Sequence, residues 1–526
     1  MKEQEITLSE ILVAREERVA IQNELLSAHK APVVSFTMNM AGPVKVTALS
    51  HRAFLWGCEQ LRLGFLQNKY PVLAEKTRSL PTGDEAYFAI DAPAEQVKAL
   101  CVEIEEVTLN MGRLYDMDVI GTDGKKLERG AERPCIVCGR PGRECASRRL
   151  HSVKALQDST ASILRRALWE LDGRRIPALS TEALLEEVAV TPKPGLVDRA
   201  NNGAHKDMDF SSFQASAAAL TQYWAACFRS CHSERSEESV PPAASPERET
   251  DSSTPLRSAQ NDNGHPLSPA EAFAKLRPLG KRAERDMLAA TGGVNTHKGA
   301  IFTLGVLCGA IGRRWTPETG FPSVDIILDE AAAMTQETLE AELPAARWNT
   351  AGEALYRQYG TRGIRGEVAG GLPAVREVSL PVFKALLAEG LDRNHAAAVT
   401  LLHLIAKVED TNLLHRGGPE GAAWAKQAAA ALIAPACHSE RSEESVPPAV
   451  SLERCTDPST PLRSAQDDKQ ETRMKHSGLI LDGRVPSLQE IAELDRQFIQ
   501  RNLSPGGCAD LLAVTLFLER LENTSL

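Results

Sequence analysis

Aromatic side chains make up only 5% of the 526 residues, and no long apolar run makes up for them. The most apolar stretch, AIFTLGVLCGAI at 300–311, lies between Lys298 and Arg313 and is too short to cross a bilayer, so a membrane protein is excluded. A secretory leader is also missing, because MKEQEITLSE at the N-terminus is too charged for one; a cytoplasmic protein is expected. The eleven cysteines form no even framework, as expected in a reducing compartment. A cationic excess is absent too: 60 Lys and Arg against 70 Asp and Glu give a net charge of −10. That argues against general nucleic-acid binding but leaves room for local basic pockets that take phosphorylated small molecules. What is present is enough chain for two or three domains, with 43% hydrophobic and 25% charged residues, as in soluble globular proteins.

The stretch most concerned with backbone control and charge is TPKPGLVDRANNGAHKDMD at 191–209. Pro192, Pro194 and Gly195 predict a rigid loop, and Asn201, Asn202 and Gly203 a second turn that presents His205, Lys206, Asp207 and Asp209. TGGVNTHKGAIF at 291–302 sets Gly292 and Gly293 near His297 and Lys298 before a helical run, and SPGGCADL at 504–511 sets Gly506 and Gly507 at the start of another. Free N–H groups at such helix starts suit phosphate, although plain helix capping explains SPGG well. GIRGEVAGGLP at 363–373 supplies Arg365 and Glu367 in a glycine-rich loop, and VEDTNLLHRGG at 408–418 is read as ending a helix in Glu409 and Asp410.

Toward the N-terminus, residues 7–29 predict an amphipathic helix opening at Thr7, with Ile11, Leu12, Val19, Leu25 and Leu26 on the apolar side and Arg15, Arg18 and Gln22 on a solvated face. Residues 32–48 read as two strands joined at Ala41-Gly42-Pro43, followed by a helix from His51, a strand at 85–91 and a helix from Pro93 to about Glu106. Alternating strands and helices predict an α+β domain. In GRLYDMDVI, Asp116 and Asp118 stand two apart on a strand and project from one face, a spacing that suits Mg²⁺ facing a polyphosphate. Cys135, Cys138, Cys145 and His151 offer four zinc ligands after a Cys-x-x-Cys opening. The later two are closer than in common zinc modules, and the intervening Arg140, Arg143, Arg148 and Arg149 suit phosphate or an acidic partner equally well, so structural zinc is the less favoured reading.

A helix from His151 is expected to end at Asp172-Gly173, with the boundary at GRRIP: domains 1–175 and 176–526. Beyond it, segments at 211–228, 268–290, 300–312, 323–340, 392–410, 420–434, 487–502 and 507–522 read helical, so the second, larger domain is predicted to be all-α. Residues 231–262 recur at 437–468 with five differences over 32 positions. Their Ser-, Glu-, Arg- and Pro-rich composition predicts two disordered insertions between helices, to which Cys231, Cys437 and Cys455 are assigned without function.

The motifs from about residue 176 onward resemble, in wording and order, the triphosphoribosyl-dephospho-coenzyme A synthases that make the precursor of the citrate lyase prosthetic group. REERVAIQ, VSFTMNMAG, LPTGDEAYFAID, GRLYDMDVI and RPCIVCG, within residues 1 to about 172, resemble the transferases that attach this group to the citrate lyase acyl carrier protein. The two resemblances imply a fusion of consecutive steps. In the first, ATP and 3′-dephospho-coenzyme A are substrates: the 2′-hydroxyl of the latter attacks C1′ of the ATP ribose and adenine leaves. In the second, a carrier-protein serine takes the phosphoribosyl-dephospho-coenzyme A group and diphosphate leaves.

For the synthase, the resemblance implies Asp207, Asp209, Glu409 and Asp410 as candidates for base or metal binding, with Asp207 and Asp410 for Mg²⁺. Lys193, Lys206, Lys298, Arg365 and the glycine turns are candidates for phosphate, and His205 and His297 for either role. For the transferase it implies Asp116 and Asp118 with Mg²⁺, and Arg15, Arg18 and Arg113 as clamps on the leaving diphosphate. Two rivals remain at this point: the equivalent synthase step for malonate decarboxylase, and a non-catalytic coenzyme A or ATP sensor. A sensor has little use for four carboxylates beside its phosphates.

Overall fold

The computed structural model describes residues 3–232, 267–342, 351–434 and 484–524. The N-terminal region is helices around a four-stranded antiparallel sheet, and the rest is helical. Helix α1 (Leu8–His29) opens with a Thr7/Glu10 capping box, in which each side chain accepts from the other's backbone N–H. Strands β1 (Val33–Met38), β2 (Val72–Leu80), β3 (Gly83–Ile90) and β4 (Tyr115–Ile120) lie in the order β2-β3-β1-β4. One face, with Val34, Phe36, Phe88 and Met117, packs on α2 (Ala48–Gln67) and α3 (Ala94–Val107). The other face carries Ser35, Thr37, Glu85, Asp116 and Asp118 and lies toward α1, whose Ile21 and Leu25 pack on Val33, Tyr87 and Ala89.

Two expectations are corrected here. Residues 32–48 form one strand rather than a hairpin: Val33–Met38 pairs with β3 and β4, and Gly42 lies against Val153 and Gln157. The face of α1 read as solvated meets the sheet, where Arg18 bonds Glu85 and Gln22 bonds Ser35, while Leu12 and Val19 are exposed. A polar sheet face selected the helix's polar stripe. Strand β2 went unread because it is an edge strand with mostly exposed, charged residues.

After α4 (Gly142–Ser147), α5 runs unbroken from Val153 to Ala189. The expected stop at Asp172-Gly173 is absent because the polar residues there serve buried contacts. Asp172 is fully buried and accepts from Arg52 and from the Trp315 indole, each at 2.7 Å, and Arg52 also donates to the Pro317 carbonyl at 2.7 Å. Arg175 lies 3.8 Å over the Trp56 ring and bonds Glu59 at 2.5 Å. A single apolar core therefore continues from the sheet side of α2 through α5 into the helical region.

There, α6 (Phe210–Ala219) and α7 (Thr221–Cys231) replace the one helix expected at 211–228. Cys231, assigned above to an insertion, closes α7 and is buried, and the His232 ring stacks 4.1 Å from that of Trp169; the rest of both repeat copies lies outside the described residues. Next come α8 (Pro269–Ala290), α9 (Lys298–Arg314), α10 (Val324–Glu342), α11 (Ala351–Tyr359) and α12 (Gly363–Ala369); α12 is helical where a loop was expected. A π turn at 375–379 leads into α13 (Leu380–Ala388), and then follow α14 (Arg393–Lys407), α15 (Thr411–Ile433, kinked at Gly418), α16 (Leu488–Gln500) and α17 (Gly506–Thr524). Helix α9 is the buried axis of this bundle, packed by α7, α8, α10 and α17.

Candidate functional site

The loop at 191–209 is rigid through side chains that bond its backbone. Asp198 accepts from the N–H groups of Lys193, Ala200 and Asn201; Asp495 of α16 accepts from Gly195 N–H and the Asn201 amide; Asn394 of α14 exchanges bonds with both backbone groups of Thr191. Gly195 has φ +69° and lies on the Leu503 carbonyl, so no side chain fits there. The loop is thereby fixed against the turn that starts α17. His205 bridges the two: Arg416 donates to its Nδ1 at 3.0 Å, which leaves Nε2–H to donate to Ser504 at 2.8 Å. Burial, with the Arg416 charge, lowers the His205 pKa to about 4, so this histidine is neutral near pH 7.

His297 is buried at the start of α9, with Nδ1 2.6 Å from the Ser216 hydroxyl and Nε2 without a partner. Burial, then the Lys193 charge, lowers its pKa to about 3. Neither histidine is a cation for phosphate. Lys193 is buried as well, and its Nζ lies 2.6 Å from a Glu187 carboxylate oxygen and 2.8 Å from the Glu187 carbonyl. Gly292 and Gly293 stand at positive φ and close α8, where Gly293 N–H returns to Leu288 O at 2.7 Å; they do not open α9.

Protein carboxylates occupy two of the helix starts read as anion seats. Asp410 does not end a helix, since α14 stops at Lys407; it N-caps α15, accepting from Asn412 and Leu413, and its other oxygen accepts from Cys508 N–H at 2.8 Å in the first turn of α17. Gly507 gives it room, since a Cβ there would lie 3.0 Å from its oxygen. Asp510, which sequence reading missed, faces Gly299 and meets the backbone N–H of Ala300 in α9. Burial, then the charges of Glu187 and Asp410, raises its pKa well above the ordinary value. Burial also raises those of Asp410 and Glu187. The buried Glu187 and Asp410 and the half-buried Asp510 thus lie close together, with Lys193 at their edge. The missed signal was the spacing Gly506…Asp510, one helical turn past a glycine start.

The remaining candidates lie around this centre. Asp207 and Lys206 are exposed, and Asp209 is the N-cap of α6, with Ser211 and Ser212 bonded to it. Lys298, about half exposed, pairs with Glu284 at 3.4 Å, and Glu409 adjoins Asp410. Arg365 is exposed on α12, whose Gly363 touches Thr411 at the start of α15. Loop 191–209 and the starts of α9, α15 and α17 therefore converge.

In the N-terminal region, Asp116 and Asp118 share the α1 side of β4, opposite Thr37 and Ser35, and Lys126 pairs with Asp118 at 2.5 Å. Arg18 and Arg78 meet at the buried Glu85; burial pushes its pKa up, but hydrogen bonds from Tyr87, Arg78 and Arg18 outweigh that and hold it low. Arg15 is exposed near Lys45. Arg113 is not in this group, because its Nε donates to the Pro134 carbonyl at 2.5 Å. A second missed pair is His51, whose Nδ1 lies 3.0 Å from the buried Asp84. Cys135, Cys138, Cys145 and His151 gather with all four ligand atoms within 4.8 Å of one another. No helix among the described residues is long and apolar enough to cross a membrane.

Known proteins match both regions. Residues 173–447 and 462–526 match the family of the ATP:dephospho-CoA triphosphoribosyl transferases, and residues 6–167 that of the apo-citrate lyase phosphoribosyl-dephospho-CoA transferases. Protein CitXG of Haemophilus influenzae is 31% identical over 97% of this chain and 96% of its own length. The 2-(5″-triphosphoribosyl)-3′-dephosphocoenzyme-A synthase of Klebsiella pneumoniae is 34% identical over 66% of this chain and 93% of its own, and the probable synthase 1 of Salmonella typhimurium is 34% identical over 68% and 93%. These matches define a transferase of phosphorylated nucleotide substrates. The chain belongs to the ATP:dephospho-CoA triphosphoribosyl transferase family and carries at its N-terminus a domain of the apo-citrate lyase phosphoribosyl-dephospho-CoA transferase family. It is a bifunctional enzyme of citrate lyase prosthetic-group biosynthesis, with ATP and dephospho-CoA as substrates of one half and the apo-citrate lyase acyl carrier protein as substrate of the other.

Proposed function

We propose that adenine displacement takes place where loop 191–209 meets the starts of α9, α15 and α17. The observation that carries this reading is the cluster of buried Glu187 and Asp410 with half-buried Asp510, flanked by the neutral His205 and His297. Three acids with a single buried lysine hold more negative charge than the site compensates, which fits a divalent cation such as Mg²⁺. When bound, that ion would neutralise triphosphate charge. The chain's own residues do the rest. Carboxylate charge near C1′ stabilises the oxocarbenium-like centre as adenine leaves. Neutral His297, with Nε2 buried and unpartnered, adds a polar group at the edge of this centre without adding charge. Lys206, Lys298 and Arg365, exposed around the centre, engage the triphosphate, and Asp207 lies beside His205 at the loop's end.

In the transferase half, Asp116 and Asp118 would hold Mg²⁺, and Arg15 and Arg18 face the departing diphosphate. The domains are read as 1–175 and 176–526, with α5 shared between them. Incubating the full chain with ATP and dephospho-coenzyme A tests the first half directly. Free adenine in step with triphosphoribosyl-dephospho-coenzyme A supports the site assignment if Asp510→Asn abolishes both, and an active Asp510→Asn variant refutes it.

A further inference from the structure

We infer that Cys135, Cys138, Cys145 and His151 form a structural zinc site that ties the acid-bearing strand β4 to the long helix α5. In the sequence the neighbouring arginines suited phosphate or an acidic partner equally well; the folded geometry favours the metal. Cys138 Sγ lies 3.4 Å from Cys145 Sγ and 3.2 Å from His151 Nε2. Tetrahedral zinc with Zn–S near ~2.3 Å and Zn–N near ~2.0 Å places its ligand atoms roughly 3.5–3.8 Å apart, whereas a disulfide would need sulfurs at about 2.05 Å. The cysteine pair is thus too far apart for a disulfide and spaced for a shared ion.

The backbone is built to match. Gly139 N–H returns to the Cys135 carbonyl at 2.9 Å, Cys135 N–H to the Arg140 carbonyl at 2.7 Å, and Gly139 takes φ +72°, so the Cys-x-x-Cys-Gly turn folds both sulfurs to one side. Cys145 comes from the short helix α4, and His151 directly precedes Ser152, the N-cap of α5. Burial supplies an independent argument. Between Thr122 and Ser152 the only buried residues are Cys135 and Cys145, so this stretch has no apolar core of its own. Two thiols do not replace such a core, but a bound ion does, and small coreless segments are commonly held by metal.

The consequence is positional. Arg113, immediately ahead of β4, donates to the Pro134 carbonyl beside the first ligand, and Arg133 donates to the Tyr115 carbonyl at the first residue of β4. The ion would fix the Cys135 turn against the approach to Asp116 and Asp118 and, through His151, the start of the helix that continues into the synthase half.

The experiment is metal analysis of the untagged full chain grown with added zinc. One zinc per chain is expected, released together with thiol reactivity when a mercurial is added, and lost in Cys138→Ser and His151→Ala. Because those variants can fail to fold, the wild-type chain is also stripped and reloaded with cobalt(II), where thiolate-to-cobalt charge-transfer absorption is expected. The stripped chain should lose transfer to the carrier protein while adenine release persists. Zinc far below one per chain with no charge-transfer band, or a Cys138–Cys145 disulfide in the freshly purified protein, would overturn the proposal.

Discussion

Asp510 shows how one side chain can carry the argument for a site. It is half-buried, meets the first turn of α9 and shares its surroundings with Glu187 and Asp410. If it stabilises charge as adenine leaves, Asp510→Asn lowers adenine release by about 10²-fold or more with little change in melting temperature, because the amide keeps the shape. Equal loss of activity and of folded protein would assign it a structural role instead. The histidines give a pH prediction. His297, His205 and His403 have folded pKa values of about 3, 4 and 4 against 6.5 in the unfolded chain. The unfolded chain therefore takes up these protons first, so their contribution to stability is intact above pH ~6.5 and is lost as pH falls toward ~4. The raised acids Asp410, Asp510 and Glu187 work in the opposite sense, since protonation relieves their burial. Urea midpoints measured from pH 7 to 5 should decline less steeply in His297→Asn than in the wild type; parallel slopes would contradict the burial of a neutral His297.

Helices were the most legible elements, because their caps are local. Thr7, Ser268 and Ser487 each begin a helix with a capping box that any reader of Thr/Ser-x-x-Glu would mark. What the sequence hid was the use of polar residues in buried contacts. Asp172 and Gly173 looked like the end of a helix, yet α5 carries them, with Arg175, into contact with Arg52, Phe228 and Glu59. The same blindness put Arg18 and Gln22 in solvent and Asp410 at the wrong end of a helix. Asp172→Ala strands the Arg52 charge and should cost about 3–5 kcal/mol in chemical denaturation, as broken buried ion pairs do. A loss below 1 kcal/mol would mean that the Arg52–Asp172 bond does not hold α2 to α5. Gly312 makes a second test. It lies on the Phe228 carbonyl where α9 crosses α7, so Gly312→Ala should cost about 1–3 kcal/mol through overpacking. An unchanged denaturation midpoint would show that the two helices separate freely.

At the scale of the molecule, the α+β region followed by a mostly helical one was legible from period and turn chemistry, and the family from motif wording. The site was legible only in part. Of the residues proposed for it, the loop at 191–209 and Asp410 stand in readable motifs, whereas Asp510 and Glu187 meet only through the fold, far apart in sequence. In the proposed scheme two chemistries lie in two places joined by α5. The most direct test measures adenine release and carrier-protein loading separately in the wild-type chain, in Asp510→Asn and in Asp116→Asn/Asp118→Asn. Asp510→Asn should release no adenine yet load the carrier from preformed triphosphoribosyl-dephospho-coenzyme A, the double variant should do the reverse, and an equimolar mixture should restore the full sequence from ATP. Loss of both activities in either variant would contradict the separation of the two sites.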